Sequence, residues 1–252
     1  MTGTALLAAT NLQKTYVAGN QSTRALWNLN LVVPPGEFVA VMGPSGSGKT
    51  TLLNLLAGLD APTGGSVVLD GQDMGALKGD ALAAFRRERL GFVFQDFNLL
   101  DTLTLAENAS LPLLLAGHGH RDARRSAVGA LTEIGIGDLA GRFPYEVSGG
   151  QQQRAAVARA IVHQPTLVLA DEPTGALDTG AATSLLELFE RLNAQLGATI
   201  VMVTHNPRAA SYASRVVFIS DGAVFTELGR DGLDRQSFFA SVMATLGQLE
   251  GR

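Results

Sequence analysis

The sequence predicts an α/β fold with a parallel β-sheet core, an N-terminal antiparallel β subdomain and an inserted α-helical subdomain. Continuous apolar runs at residues 166–170 and 199–204 are typical of parallel strands that are covered on both faces. Alternation of apolar and polar residues over 26–33 is typical of antiparallel strands. Helical patterns dominate residues 96–147, so we expect the insertion there, with Pro112 interrupting one of its helices.

The composition is that of a soluble globular protein. The chain has 252 residues, of which 46% are hydrophobic and 17% are charged, and it can bury a large core. Its formal net charge of −4 includes no basic excess, so we expect no nucleic-acid partner. The absence of cysteine excludes disulfides and thiolate metal sites, which is consistent with a reducing compartment.

Neither a targeting peptide nor a membrane span is predicted. Residues 1–7 lack the positive start and the full apolar segment of a signal peptide. No apolar run approaches the roughly 18 residues of a membrane-spanning helix. Any association with a membrane would therefore depend on a partner protein.

We predict a single domain over residues 1–252. Residues 1–95 and 148–228 would form the core with the β subdomain, and residues 96–147 would form the helical subdomain. An apolar stripe at helical spacing indicates a C-terminal helical extension over residues 229–252. Because the chain is acidic, we expect this stripe to pack on its own domain rather than on a membrane.

A phosphate-binding P-loop is predicted between an apolar strand at residues 38–42 and a helix-like segment that starts at Thr51. Glycines allow a sharp turn, and N–H groups at a helix N-terminus attract anions. An ordinary glycine-rich loop would not need this strand–loop–helix context. Lys49 would reach the outer phosphates, and Thr50 would bind Mg²⁺. The expected nucleotide ligands are Gly43, Pro44, Ser45, Gly46, Ser47, Gly48, Lys49, Thr50 and Thr51.

The pair Asp171-Glu172 follows a buried apolar strand and supplies the acidic groups that a P-loop needs. A charge at such a strand end is costly unless it serves a metal, so we expect Asp171 to bind Mg²⁺. Glu172, one residue further out, would act as the base for the attacking water. A solvated acidic pair is the alternative, and the upstream P-loop disfavours it.

Gln95 and His205 also follow apolar strands. Because ligands bind at the carboxyl edge of a parallel sheet, we expect both side chains beside the P-loop and Asp171. Each residue alone would more often be an ordinary turn residue. Only their shared edge makes them candidates for a catalytic role.

A second glycine-bearing turn, Ser148-Gly149-Gly150-Gln151, opens another predicted helix and is a second candidate anion site. A helix cap without a ligand would explain Ser148 but gives no reason for two glycines. If this turn lies too far across the chain to serve its own nucleotide, a two-fold, head-to-tail homodimer would place it on the nucleotide of the other chain.

The motifs GPSGSGKTT, FQD, VSGGQQQR, LVLADEPTGALD and VTHN occur in this order. Over residues 6–228 the chain resembles the nucleotide-binding subunits of ATP-binding cassette (ABC) transporters. The resemblance implies that Tyr16 stacks on adenine and that Lys49 and Thr50 hold the phosphates and Mg²⁺. It identifies Ser148, Gly149, Gly150 and Gln151 as the family's signature motif.

The same resemblance implies roles for the residues at the other strand ends. Gln95 would link Mg²⁺ to the membrane partner, Asp171 would hold the metal and Glu172 would be the general base. Asp178 resembles the D-loop aspartate, and His205 resembles the residue that senses the γ-phosphate. The expected small ligands are therefore ATP and Mg²⁺.

The resemblance implies an ATPase whose two copies close around two Mg-ATP and drive membrane permease subunits at the cytoplasmic face of the cell membrane. Within the family, the chain resembles the branch that serves lipoprotein release, macrolide export and antimicrobial-peptide resistance, especially the bacitracin type. Val147, where the family mostly has Leu, and Ala176, where this branch often has Asn, depart from the usual pattern.

Two other functions stay open at this point. The chain could signal through a membrane protein without transport, or it could act on nucleic acid. Nucleic-acid cassettes usually carry coiled coils or zinc modules between the two anion sites, whereas about a hundred residues without heptads or cysteines separate them here. Because residues 97–103 are apolar and follow Gln95, we expect them to form the groove for a permease.

Overall fold

The structure is a computed structural model that describes residues 5–19 and 21–250. Residues 1–4, on which most of the signal-peptide prediction depends, and the last residues of the predicted domain lie outside these ranges. The strands are β1 Leu7–Ala18, β2 Gln21–Val33, β3 Phe38–Met42, β4 Gly64–Leu69, β5 Gln72–Asp73, β6 Leu90–Val93, β7 Leu167–Asp171, β8 Ile200–Val203, β9 Arg215–Ser220 and β10 Ala223–Gly229. The helices are α1 Lys49–Leu56, α2 Gly79–Arg89, α3 Leu105–Leu115, α4 His120–Glu133, α5 Gly149–Ile161, α6 Thr179–Leu196, α7 Pro207–Ala210 and α8 Arg235–Glu250.

The strands form two sheets. A four-stranded antiparallel sheet has the order β2-β1-β4-β5, and a six-stranded sheet has the order β10-β9-β3-β8-β7-β6. In the larger sheet, β9, β3, β8, β7 and β6 run parallel, and β10 closes one edge as the antiparallel partner of β9. The predicted fold class is confirmed.

The six-stranded sheet separates two hydrophobic cores. Val39 and Val41 of β3 belong to the core shared with α1 and the β subdomain, whereas Ala40 and Met42 belong to the core shared with the helical subdomain. Neighbouring side chains of a strand point to opposite faces, so every residue of β3 is buried. The apolar runs seen in the sequence are thus explained by packing on both faces.

The helical subdomain is built mainly from α3 and α4. A capping box starts α3, because Thr104 accepts a hydrogen bond from the Glu107 N–H while the Glu107 carboxylate accepts one from the Thr104 N–H. The predicted interruption at Pro112 is wrong, since α3 continues to Leu115. Proline removes one backbone donor, and the buried Leu113 keeps the last turn packed on the core.

The C-terminal helix α8 packs on its own domain, as expected. Phe238, Val242 and Leu249 are buried in the core of the six-stranded sheet. The Arg235 guanidinium lies 3.9 Å from the ring centre of Tyr212, which fixes the start of the helix. Within the described residues, no helix is both long enough and apolar enough to cross a membrane.

Candidate nucleotide-binding site

The parallel strands bring the predicted site segments to one edge of the sheet. Asp171, the last residue of β7, lies beside Val203 of β8, and Val93 of β6 lies beside Ala170. The loops that carry Gln95, Glu172 and His205 therefore leave the sheet at the same edge as the P-loop, which follows β3.

The P-loop, residues 43–50, requires glycine at two close approaches. A Cβ atom on Gly43 would lie 2.1 Å from the Ile219 carbonyl oxygen, and one on Gly48 would lie 2.6 Å from the Ala25 carbonyl oxygen. Gly48 has a φ of +102°, which side-chain-bearing residues rarely adopt. Helix α1 begins after Gly48 without a side-chain cap, so its first N–H groups are available to an anion.

Lys49 is buried inside this cradle. Its Nζ atom donates hydrogen bonds to the carbonyl oxygens of Gly43 and Pro44, both at 2.8 Å. Burial lowers the pKa of Lys49, while the charges of Glu172 and Asp171 act in the opposite direction. The Lys49 ammonium lies at a helix N-terminus, and the two carboxylates offset the cost of its burial only in part. Phosphate oxygens therefore fit as additional partners of this ammonium.

The Asp171 carboxylate fits a metal-ligand role. Burial and the neighbouring charge of Glu172 raise its pKa, and Lys49 offsets this only in part. Within the described residues, the Asp171 carboxylate accepts no hydrogen bond. The same residues contain no group of three or more acidic or histidine side chains that could hold a metal without other ligands. Mg²⁺ usually combines one or two carboxylates with phosphate oxygens. Thr50, an exposed residue directly after Lys49, would add a hydroxyl ligand to such a set.

We expect Asp171→Asn to raise the melting temperature of the nucleotide-free protein at neutral pH. A raised folded-state pKa means that the folded chain binds a proton more tightly than the unfolded chain does, so ionised Asp171 opposes folding. The gain from the substitution should shrink as the pH falls and vanish below the ordinary pKa range of aspartate. Thermal unfolding from about pH 3.5 to 8 measures it; an equal gain at all pH values, or no gain at pH 7, would contradict this origin.

Glu172 and His205 contact each other directly. The Glu172 carboxylate accepts a hydrogen bond from the His205 backbone N–H at 2.9 Å, and the same oxygen lies 2.8 Å from His205 Nδ1. Its other oxygen accepts a hydrogen bond from the Thr204 hydroxyl at 3.2 Å. Thr204 is fully buried. It was not predicted from the sequence as a site residue, although it directly precedes the predicted His205. These contacts hold the Glu172 carboxylate just beyond the end of β7.

The loop that carries Gln95 is held from both sides by α5. Gln153 donates hydrogen bonds to the Phe94 carbonyl at 2.9 Å and to the Pro173 carbonyl at 2.7 Å. Arg159 donates to the carbonyls of Phe97 and Asn98, two residues with positive φ. Gln153 was not predicted, because it stands between Gln152 and Arg154 and no local pattern marks it as buried. Gln95 itself is exposed and lies against Gly175, just beyond Glu172.

The signature turn, residues 148–151, has neighbours of its own. Gly149 faces the Phe97 ring and Leu177, and Gly150 faces Ala181, so a Cβ at Gly150 would lie 2.9 Å from the Ala181 Cβ. The Gln151 side chain folds back to accept the Ser148 N–H at 2.9 Å, which uses its amide oxygen for capping. Ser148 is exposed, so the turn is open to a ligand from outside.

Asp178 and Tyr16 lie apart from these strand ends. Asp178 caps α6 by accepting hydrogen bonds from the N–H groups of Gly180 and Ala181, both at 2.9 Å. Tyr16 is on β1 of the antiparallel subdomain, 42% exposed, and its hydroxyl donates to Asp60 at 2.9 Å. Charge interactions link Lys49 of the P-loop to Asp171 and Glu172, and hydrogen bonds link Glu172 to His205. Tyr16, Asp178 and the signature turn have other neighbours.

A P-loop faced by strand-end carboxylates, on a sheet flanked by antiparallel and helical subdomains, defines the class of P-loop ATPases. The family model described as "ABC transporter" matches residues 26–175. The chain belongs to this family, and it is an ATP-binding and ATP-hydrolysing subunit. The resemblance found in the motifs is confirmed.

Similar proteins cover nearly the whole chain. "Bacitracin export ATP-binding protein BceA" of Halalkalibacterium halodurans is 48% identical over 98% of both chains. "Macrolide export ATP-binding/permease protein MacB" of Syntrophobacter fumaroxidans is 46% identical over 90% of this chain, which spans only 32% of MacB. A dimeric structure of the ATP-binding cassette MJ0796 bound to ADP and Pi superposes with a TM-score of 0.81 at 40% identity, covering 88% of this chain and 98% of that one.

Proposed function

We propose that the chain is the ATPase of a transporter that exports or releases antimicrobial peptides, working as a homodimer with membrane permease subunits. The observation that carries the proposal is the presence of two half-sites with separate neighbours, the P-loop and the signature turn. The dimeric arrangement of the similar MJ0796 cassette supports their completion between two copies.

Each half-site would have its own role. Lys49 and the N–H groups from Gly46 to Thr51 would hold the phosphates, and Thr50, Asp171 and Gln95 would hold Mg²⁺. Bound there, Mg²⁺ would neutralise charge on the outer phosphates. Glu172 would accept the proton of the attacking water, and His205, held on Glu172, would contact the γ-phosphate.

The second copy would supply what the first lacks. Ser148, Gly149, Gly150 and the backbone of Gln151 would face the other chain's outer phosphates, and the exposed Asp178 would lie near the same interface. Because ionic contacts at a helix N-terminus strengthen as water is excluded, closure and hydrolysis would be coupled.

The relatives, rather than the site, support the proposed substrate class. BceA, named for bacitracin export, matches over 98% of both chains, whereas the MacB match ends within a longer protein. MacB is named as an ATP-binding/permease protein, which supports a permease as the functional partner of this ATP-binding region. The chain would then sit at the cytoplasmic face of the membrane through that partner.

A groove of about 490 Å³ between α2, α3 and α5 is the proposed permease site. Its walls combine apolar side chains with basic ones, and within the described parts of the chain no acidic residue lines it. The apolar lining includes Phe92, Phe94 and Leu115, and the basic lining consists of Arg86, Arg87, Arg159 and His163. Among residues 97–103, only Asn98 lines this groove, and Leu99 is half-buried against the core. Charge complementarity favours a permease segment that carries an apolar side chain and a carboxylate.

We expect Leu115→Glu to weaken the complex with the permease encoded beside this chain at least about tenfold, because a charge would enter a contact that apolar burial stabilises. Leu115 is 69% exposed, so the fold should tolerate the change. Co-purification from membranes measures the effect, and Leu233→Glu, also at an exposed apolar residue, is the matched control. An unchanged complex would place the permease elsewhere.

Reconstitution tests the transport role itself. The complex in proteoliposomes should move a labelled bacitracin-type peptide only when ATP is present. ATP turnover that responds to the peptide without any movement of it would instead favour a signalling ATPase.

A further inference from the structure

A compact polar cluster holds Tyr16 on the face of β1 that looks toward the end of α1. Lys14 and Tyr16, two residues apart on β1, both reach Asp60. Lys14 Nζ lies 2.6 Å from Asp60 Oδ1 and donates to the Ala61 carbonyl at 2.8 Å. The Tyr16 hydroxyl donates to the other oxygen, Asp60 Oδ2, at 2.9 Å. One carboxylate thus binds both side chains.

The cluster is stable for electrostatic reasons. Lys14 is only 9% exposed, and a buried ammonium is costly unless it is paired. The hydrogen bond from Lys14 lowers the pKa of Asp60 most, with a further contribution from Tyr16, so the carboxylate stays ionised at neutral pH. The pairing that fixes Lys14 therefore also anchors the tyrosine hydroxyl.

The ring of Tyr16 is contacted on one face by Lys14, while the residue stays partly exposed. The Lys14 ammonium lies 4.8 Å from the ring centroid, over one face. The residue as a whole is 42% exposed, so it remains accessible to a ligand. A tyrosine held at both its hydroxyl and one face has lost most of its freedom before a ligand arrives.

Asp60 is tied to the helix that carries the P-loop. Helix α1 begins at Lys49, and just beyond its end the N–H groups of Leu59 and Asp60 donate to the Asn54 carbonyl at 2.9 and 3.3 Å. The N-terminus of α1 belongs to the phosphate cradle, and the segment after its C-terminus holds Tyr16. The distance between Tyr16 and the phosphate cradle thus depends on helix α1.

We infer that Asp60 and Lys14 are positioning residues that hold the Tyr16 ring for the adenine base of ATP, an inference that rests on the proposed stacking role of Tyr16. Asp60 acts through the tyrosine hydroxyl and Lys14 through the ring face. Neither residue needs to touch the nucleotide.

The test compares a ligand that has a base with one that has none. We expect Asp60→Ala to raise the Kd of ATP about five- to twentyfold, part of the loss that follows removal of an aromatic stacking partner. The Kd of tripolyphosphate, which has no base, should stay unchanged. Calorimetry in the presence of Mg²⁺ measures both dissociation constants. Asp122→Ala is the matched control, because it removes a carboxylate that lies 2.6 Å from the Arg125 guanidinium, away from Tyr16.

Further variants separate positioning from folding. Tyr16→Phe removes only the hydroxyl that Asp60 binds, so it should also raise the Kd of ATP, and it serves if Asp60→Ala does not fold. Asp60→Ala should add nothing in a Tyr16→Ala background, because Asp60 acts through the ring.

The possible outcomes are distinct. Weaker binding of ATP and tripolyphosphate alike in Asp60→Ala would overturn the inference in favour of a purely structural role. Normal ATP affinity in Asp60→Ala and in Tyr16→Phe, with weak affinity in Tyr16→Ala, would also overturn it. Normal ATP affinity in Tyr16→Ala would instead overturn the stacking role in the proposed function.

Discussion

Glu172→Gln should lower ATP turnover at least about a hundred- to a thousandfold, because an amide cannot accept the proton that a general base removes from water. ATP binding and ATP-dependent dimerisation should persist. The amide oxygen can still accept the His205 N–H, which lies 2.9 Å from the carboxylate in the wild-type chain. Phosphate release at saturating ATP and size-exclusion chromatography with and without ATP measure the two effects.

The matched control is Glu187→Gln, an exposed glutamate on α6. It has the same chemistry but lies away from the strand ends, so turnover should be unchanged. Near-normal turnover in Glu172→Gln would show that Glu172 is not the general base. Loss of ATP binding in the same variant would show that Glu172 supports the site structurally.

Ser148→Arg should abolish ATP-dependent dimerisation and lower turnover about a hundredfold or more, because in the proposed dimer a long cation would fill the turn that approaches the phosphates of the other copy. The Kd of ATP for the monomer should be unchanged, since the signature turn and the P-loop have different neighbours within one chain. Ser148 is exposed, and loss of its cap on the Gln151 N–H should cost only about 1 kcal/mol, so the variant should fold. Analytical ultracentrifugation with ATP, combined with calorimetry, measures both quantities.

Ala244→Arg, at an exposed position of α8, controls for the added charge. A large change in the monomer's ATP affinity upon Ser148→Arg would mean that the turn serves its own nucleotide, against the head-to-tail arrangement. Dimers that still form and hydrolyse ATP at the normal rate would place the turn outside the interface.

Local patterns predicted the parts of the fold that depend on local physics. The capping box at Thr104 follows from residue types spaced within one helical turn, as does the capping of α6 by Asp178. Pro112 shows the limit of such rules, because packing around Leu113 keeps α3 helical beyond a residue that usually ends a helix. The permease groove expected at residues 97–103 stays a prediction. That Leu99 packs against the core while Asn98 lines a groove depends on segments distant in sequence.

The sequence by itself determined which chemistry is present: a P-loop with Lys49, a strand-end Asp171-Glu172 pair and a second glycine-bearing turn at Ser148. Only the tertiary structure decided how these groups are held. Glu172 meets His205 across 33 positions of the chain, and Tyr16 meets Asp60 across 44. Motif spacing reflects short-range backbone geometry, whereas such pairs depend on how strands and helices pack, which no local pattern records.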